Sequence, residues 1–396
     1  MHRLGNRGRG VTGFSAAEFR ARVARLQVGM AAGGVDALLL TTAPDVFYVT
    51  GFLTRFWESP ARPWFVVVPA LGDPVAVIPT IGAELMGKTW VSDIRTWVAP
   101  DLADDGVSLL AEALGDLVPT GGAVGVPMGH ETHLRMPLAD FERVIARIAP
   151  RRVVDATDFL HRVREVKSAT EIDRIRDICA VADRAFDRVP QIAGAGVPLD
   201  QVFRDFQIAL LKEGADWVPY LAGGAGPGGY GDVISPADTR ALEAGDVLML
   251  DTGAVKAGYF CDFDRNWAVA RADDVNRRAY DTLFAATEAG LAAARPGATA
   301  ADLFHAMQGV IGQTGDAGRL GHGLGLTLTE WPSIIPTDHT LLRDGMVMTL
   351  EPGLEIAPGR IMVHEENIVI REGGAELLSR RAPVELPILE GTWTIA

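Results

Sequence analysis

The chain has 396 residues, 48% hydrophobic and 22% charged, the balance of a folded protein long enough for two cores rather than of a disordered one. Its 51 acidic and 37 basic residues leave a net charge of −14, which argues against nucleic acid or an anionic membrane as the main partner. Two cysteines, Cys179 and Cys261, are too few for a disulfide framework, and no apolar run reaches the roughly 18 residues of a membrane span. The basic, glycine-rich stretch Met1 to Gly13 lacks the apolar run of a signal peptide, so the expectation is a cytoplasmic protein.

Taken in chain order, short apolar runs alternate with helical stretches through the first 155 residues or so. Helices are predicted over 16–32, 106–117 and 136–149, with strands over 35–40, 65–69, 75–79, 123–126 and 153–155, an α/β domain on a mixed sheet. Ile172, Ile175, Ile178, Val181, Ala182 and Ala185 then follow helical spacing over 168–189, and the boundary is placed just before it, giving domains 1–165 and 166–396. Beyond lie a helix at 199–213, a glycine-rich loop at 222–231, strands at 247–251 and 259–268, helices at 273–293 and 299–313, and last strands at 346–351 and 361–371.

The polar residues of the second half are arranged at strand ends. Asp251 closes the run Leu248-Met249-Leu250, Asp262 follows Gly258-Tyr259, and His322 sits in Gly321-His322-Gly323-Leu324-Gly325. Glu351 is followed by Pro352-Gly353, and Glu365 stands in Val363-His364-Glu365-Glu366-Asn367. Four acids near one another on apolar strands repel and are costly to bury, whereas two divalent cations would cancel four carboxylate charges. One imidazole with four carboxylates is a hard donor set that suits Mn, Co, Fe or Zn.

In these motifs, with Asp251-x-Gly253, Gly258-Tyr259-x-x-Asp262, Glu330-x-Pro332 and Glu351-Pro352-Gly353, the chain resembles the creatinase/methionine aminopeptidase/prolidase family, the pita-bread metallopeptidases. Arg164-Glu165-Val166-Lys167-Ser168-x-x-Glu171-Ile172 and Tyr48-Val49-Thr50-Gly51-Phe52 are similar to segments of prolidase-like members, so the resemblance spans nearly the whole chain. It implies a creatinase-type α/β N-terminal domain ahead of a pita-bread catalytic domain (α/β, or α+β), and a homodimer. By the same resemblance, Asp251 would chelate one metal ion, Asp262 and Glu365 would bridge two, and His322 and Glu351 would complete the other. A water or hydroxide between the ions would be the nucleophile.

The chain departs from that pattern in three places. Peptidases of the family carry two further histidines, and here the corresponding positions fall in Val233-Ile234-Ser235-Pro236 and at Thr329. Asp264 stands where the family usually has Thr; alternation along the strand points it to the same side as Asp262, as a base, an outer carboxylate or an ion-pair partner of a neighbouring Arg. His364 is the candidate to replace a lost histidine, although alternation turns it away from Glu365. Asp264, His364 and Glu330 are therefore the candidate catalytic residues. Trp57 and Trp64, flanked by Arg55 and Arg62, are candidate pocket walls or packing residues, as are Trp217, Tyr220 and Thr329 in the second half.

Gly224-x-Gly226-x-x-Gly229 matches a dinucleotide fingerprint only literally, because Pro227 interrupts it and no helix follows; a flexible loop beside the metal site is the expectation. Three functions stay open. The family default is metal-dependent C–N hydrolysis of Xaa-Pro dipeptides. The second is a non-peptide reaction on a small zwitterion, as in creatinase, ectoine hydrolase or the dimethylsulfoniopropionate lyases, although the acids such lyases carry at positions 253 and 329 are absent. The third is a binding protein that keeps the fold without catalysis.

Overall fold

The computed structural model describes residues 13–59, 62–312 and 318–390. The chain divides into two compact units, Met1–Arg164 and Glu165–Ala396, and no helix among the described residues is long and apolar enough to cross a membrane.

In the first unit, helix α1 (Ala16–Gly33) starts at the Ser15 cap and leads into strand β1 (Ala37–Leu40), then α2 (Ala43–Thr50). Strands β2 (Phe65–Pro69), β3 (Val75–Pro79), β4 (Asp93–Trp97), β5 (Ala123–Val126) and β6 (Arg152–Asp155) complete one mixed sheet in the order β4-β3-β2-β1-β5-β6. Helices α3 (Ala83–Met86), α4 (Val107–Leu117), α5 (Leu138–Ile148) and α6 (Thr157–Arg164) connect them. Leu39, Phe65, Val67 and Val77 pack against Leu110 and Leu114 of α4 and Val144 of α5. The segment Tyr48 to Phe52 is a folding device: Gly51 caps α2 at φ 78°, and a Cβ there would lie 2.6 Å from the Phe19 ring. Helix α2 and strand β4 were not foreseen, the first being buried all round and the second a half-exposed edge.

The second unit opens with α7 (Ala169–Phe186), started by a capping box between Ser168 and Glu171, then α8 (Val189–Ile192) and α9 (Leu199–Glu213). Strands β7 (Trp217–Pro227), β8 (Asp246–Lys256), β9 (Tyr259–Phe260) and β10 (Phe263–Val269) form one antiparallel group. Helices α10 (Asp274–Ala293) and α11 (Ala300–Ile311) follow. A second sheet holds β11 (His322–Gly323), β12 (Glu330–Ser333), β13 (Val347–Leu350), β16 (Glu366–Val369) and β17 (Glu376–Leu377), in the order β12-β11-β13-β16-β17. Between β13 and β16 the chain makes the hairpin β14 (Gly353–Ala357) and β15 (Arg360–Val363); β18 (Ile388–Leu389) joins β10.

Two expectations are corrected. Residues 222–227 are not a flexible loop but the end of β7, paired with β8; a Cβ on Gly223 would lie 2.2 Å from the Met249 carbonyl oxygen, so glycine lets the strands close. The single strand expected over 361–371 is broken at His364-Glu365.

A candidate dinuclear metal centre

Every residue of β8 from Asp246 to Val255 is buried, and the strand delivers Asp251 between Leu250 and Thr252. The β8–β10 register sets Asp264 opposite Asp251, with Asp262 just ahead of β10. Carboxylate oxygens of Asp251, Asp262 and Glu365 lie within 4.8 Å of one another. His322 Nε2 stands 3.4 Å from Asp262 Oδ2 and 3.9 Å from Glu351 Oε1, so the structure brings all five candidate ligands together.

The electrostatics of this cluster call for cations. Burial, then repulsion from Asp251 and Glu351, pushes Asp262 far above the usual carboxylate range; burial and repulsion from Asp262 and Asp251 do the same to Glu365. Burial raises Asp251 to about 7. Glu351 is raised to about 8 by burial and Asp251, against the pull of Arg319, although 22% of its side chain is exposed. Burial lowers His322 to about 4, so its ring is neutral, and Nδ1 lies 2.9 Å from the Gly323 carbonyl oxygen, which assigns the proton there and leaves the Nε2 lone pair facing two carboxylates. Lone pairs do not attract one another across 3.4 Å. Asp251 Oδ1 and Glu365 Oε1 are also buried without a hydrogen-bond partner, and a bound divalent ion is what would satisfy both. The donor set therefore fits a metal centre.

The ligands are held by their backbones. Thr349 Oγ1 accepts from His322 N at 3.1 Å, and Leu320 O accepts from Glu351 N at 3.0 Å. Asn367 brackets Asp262, its Oδ1 accepting from Asp262 N at 3.0 Å while its Nδ2 donates to Asp262 O. The glycines of the His322 motif allow close approach: a Cβ on Gly323 would lie 2.3 Å from Trp331 O, and one on Gly325 would meet the Glu330 carboxylate at 2.8 Å.

The other candidates separate. Glu330 is engaged rather than poised as a base: Oε1 accepts from Leu326 N at 2.8 Å and Thr327 N at 3.2 Å, while Oε2 pairs with buried Lys167 Nζ at 3.1 Å. It fixes the turn that carries Leu328 and Thr329, both half-buried. Leu328 reaches over Gly253, where a Cβ would lie 2.3 Å from Leu328 Cδ1 and 3.1 Å from Tyr220 Cβ. Tyr220 sits beside the cluster, and burial and the charges of Asp251, Asp262 and Glu365 keep its proton on; its hydroxyl donates to Val233 O at 3.2 Å. Trp217 is half-buried at the start of β7, opposite Val255.

The register places Asp264 opposite Asp251, but it makes no side-chain ion pair with Arg265, whose guanidinium donates to Asp264 O and to Glu366 Oε2. Both carboxylate oxygens of Asp264 accept instead, from Glu365 N at 2.5 Å and Asn266 Nδ2 at 2.9 Å. His364 is corrected as a catalytic candidate. Its Nδ1 lies 3.0 Å from Thr287 Oγ1, which donates to Leu283 O and so accepts from the ring; Nε2 then accepts from Arg381 Nη1 at 3.3 Å. Both nitrogens are thus engaged, Nδ1 as donor and Nε2 as acceptor.

In the first unit, Trp64 is not a pocket wall but core, 2% exposed among Phe52, Phe56 and Trp57. Trp57 is half-buried under the Arg135 guanidinium, which also donates to the carbonyls of Trp57, Ser59 and Arg62.

Residues 173–372 match the model of metallopeptidase family M24, and residues 22–166 that of the creatinase/prolidase N-terminal domain. The chain belongs to the M24 metallopeptidases. A probable dipeptidase PepE of Mycobacterium tuberculosis is 30% identical over 383 residues, 95% of this chain and 98% of that protein. An Xaa-Pro dipeptidase of Pyrococcus horikoshii is 25% identical, over 87% of this chain and 93% of its own. The crystal structure of dipeptidase PepE from Mycobacterium ulcerans matches with TM-score 0.81 at 30% identity, covering 96% of this chain and all of that one. A prolidase from Thermococcus sibiricus shares the fold with TM-score 0.83 at 22% identity, over 93% of this chain and 99% of its own. The M24 catalytic domain thus follows a creatinase-type α/β domain, and the chain is an M24 enzyme whose family implies divalent metals.

Proposed function

We propose that this M24 enzyme is a dinuclear-metal dipeptidase that hydrolyses the C–N bond of dipeptides, Xaa-Pro dipeptides among them. Asp251, Asp262, His322, Glu351 and Glu365 hold two ions, with Mn first among Mn, Co, Fe and Zn. The observation that carries the reading is the convergence of three buried carboxylates, the partly exposed Glu351 and an imidazole lone pair, with Asp251 Oδ1 and Glu365 Oε1 lacking any other partner. The relatives named dipeptidases support the substrate class.

When bound, such ions lower the pKa of water and polarise a carbonyl. Around them, Asp251 and Asp262 fix one side of the centre from the β8–β10 pair, and His322 and Glu351 the other from the second sheet. Tyr220, its proton held on by burial and the neighbouring carboxylates, places its hydroxyl beside Asp251 while donating to Val233 O, and Leu328 over Gly253 supplies an apolar wall for a side chain or a proline ring. A homodimer acting in the cytoplasm completes the reading.

A second reading rests on Val233 and Thr329, which stand where peptidases of this kind carry histidines: the same centre acts on a small zwitterion that is not a peptide. Purified protein, stripped and reloaded with each metal, is assayed on panels of Xaa-Pro and other dipeptides. Metal-dependent release of the C-terminal residue, lost in Glu351→Ala, is the expected result. Two bound metals per chain without peptide turnover would turn the assignment to betaines and cyclic amidines, and full turnover in Glu351→Ala would refute the centre itself.

A further inference from the structure

We infer that Asp264 is a positioning residue that sets Glu365 for metal binding through the backbone rather than by proton transfer, anchored by Tyr230 and Asn266. The inference rests on the metal-centre reading above and deepens it.

Strand β15 ends at Val363 and β16 begins at Glu366, so the chain carrying Glu365 crosses the site with no strand ladder at that residue. Its buried backbone groups need other partners, and side chains supply most of them. Val363 N donates to Tyr230 Oη at 2.6 Å, Val363 O accepts from Asn266 Nδ2 at 2.7 Å, and Glu365 N donates to Asp264 Oδ1 at 2.5 Å. Glu365 O accepts from Arg265 Nη1 at 3.0 Å, and His364 N donates to Pro352 O at 3.0 Å.

The clamp is internally tied. Tyr230 Oη donates to Asn266 Oδ1 at 3.2 Å, and Asn266 Nδ2 donates to Asp264 Oδ2 at 2.9 Å. Tyr230, Asp264 and Asn266 are all 3% exposed or less, so water does not compete for these bonds. One carboxylate can accept from two donors at once; a Thr at this position has a single oxygen to offer. Asp264 thus reads the Glu365 backbone with one oxygen and is steered by Asn266 with the other. The same chain leads to Tyr230, whose backbone bridges Ile361 on the hairpin that precedes Glu365.

The test titrates Mn(II) into stripped wild type, Asp264→Ala, Asp264→Asn and Asn266→Ala, by calorimetry and by the loss of free-Mn(II) paramagnetic signal, with near-UV dichroism to show that each variant is folded. In Asp264→Ala the weaker of the two ions is expected to bind about 10–100-fold less tightly, the loss typical of removing a partner that orients a ligand. Asp264→Asn keeps an acceptor for Glu365 N but turns its amide NH2 on Asn266 Nδ2, a donor against a donor, so it is expected to bind between wild type and Asp264→Ala. A folded Asp264→Ala that titrates like wild type overturns the inference. Should Asp264→Ala not fold, Asn266→Ala decides: a folded protein with a weakened second ion supports the clamp, and unchanged binding overturns it. Wild type that takes up no metal would instead refute the metal-centre reading beneath it.

Discussion

Removing the metals should make this protein less stable as pH rises through neutrality, the reverse of what most acidic side chains cause. Asp251 and Glu351 are raised to about 7 and about 8 in the folded, metal-free chain, from ordinary values of 3.8 and 4.5. A carboxyl raised on folding keeps its proton in the native state while the unfolded chain has lost it, so the native state binds more protons. The stability this gives is full below the unfolded pKa and is lost as pH climbs through the folded one. His322 and His364, lowered by burial to about 4 and about 3, pull the other way, but only up to their unfolded value of 6.5. Between pH 6.5 and 8 the last unfolded-state charge of the two histidines offsets only about 1 kcal/mol, and the carboxyls dominate. At about 1.4 kcal/mol per pH unit for each proton held, Asp251 up to pH 7 and Glu351 up to pH 8 cost roughly 2–3 kcal/mol together. Asp262 and Glu365, raised further, add to the loss. For a unit spanning Glu165–Ala396 that is a fall of about 5–10 °C in the melting temperature. Calorimetry of chelated and Mn-loaded protein at pH 6.5, 7.2 and 8.0 reads it directly, and the loaded form, whose protons the ions have displaced, should stay level or rise. A chelated protein whose melting temperature is flat or rising over this window would refute the electrostatic account.

Lys167→Met should destabilise the loaded protein by about 3 kcal/mol, the low end for breaking a buried ion pair because two backbone N–H groups still hold Glu330; a urea midpoint within error of wild type would contradict it. Gly253→Ala puts a methyl where Leu328 Cδ1 lies 2.3 Å away, so kcat/KM for dipeptides should fall at least about tenfold with metal content intact, and unchanged kinetics would remove Leu328 from the pocket wall. His364→Gln should lower the melting temperature through its lost bonds to Thr287 and Arg381, yet leave kcat within about threefold. A hundredfold loss of kcat in a folded His364→Gln would return that residue to the catalytic machinery.

The strands that build the centre were legible because burial on both faces leaves an almost unbroken apolar run: Leu248-Met249-Leu250 before Asp251 has no competing reading. The five candidate ligands were legible for the complementary reason, each being a polar residue that closes or interrupts an apolar or glycine-rich run, Asp251 doing so from within β8. What was hidden had no periodic trace. Helix α2 is buried nearly throughout, so it shows no polar face, and β4 is half-exposed at an edge, so it shows no apolar one. The glycines of β7 read as a loop because their work is the close approach of β8, which a single sequence does not display.

The residues around the ligands were hidden for a different reason, which also bears on the two missing histidines. Lys167, Tyr230, Asn266 and Asn367 act through bonds to residues far along the chain, such as Lys167 to Glu330 and Tyr230 to Val363, and no local pattern announces such partners. Strand alternation set Asp264 on the side of Asp262 and turned His364 away from Glu365, and the cross-strand register puts Asp264 opposite Asp251. Asp264 has both oxygens engaged by donors and His364 has both nitrogens engaged, so neither is free to take the place of a proton-carrying histidine. Glu330 is tied down by Lys167 and two amides. The Tyr220 hydroxyl beside the cluster is held from ionising and gives its proton to Val233 O. Among the acids of the cluster, Glu351 alone keeps a fifth of its side chain open to solvent, where protons can enter and leave.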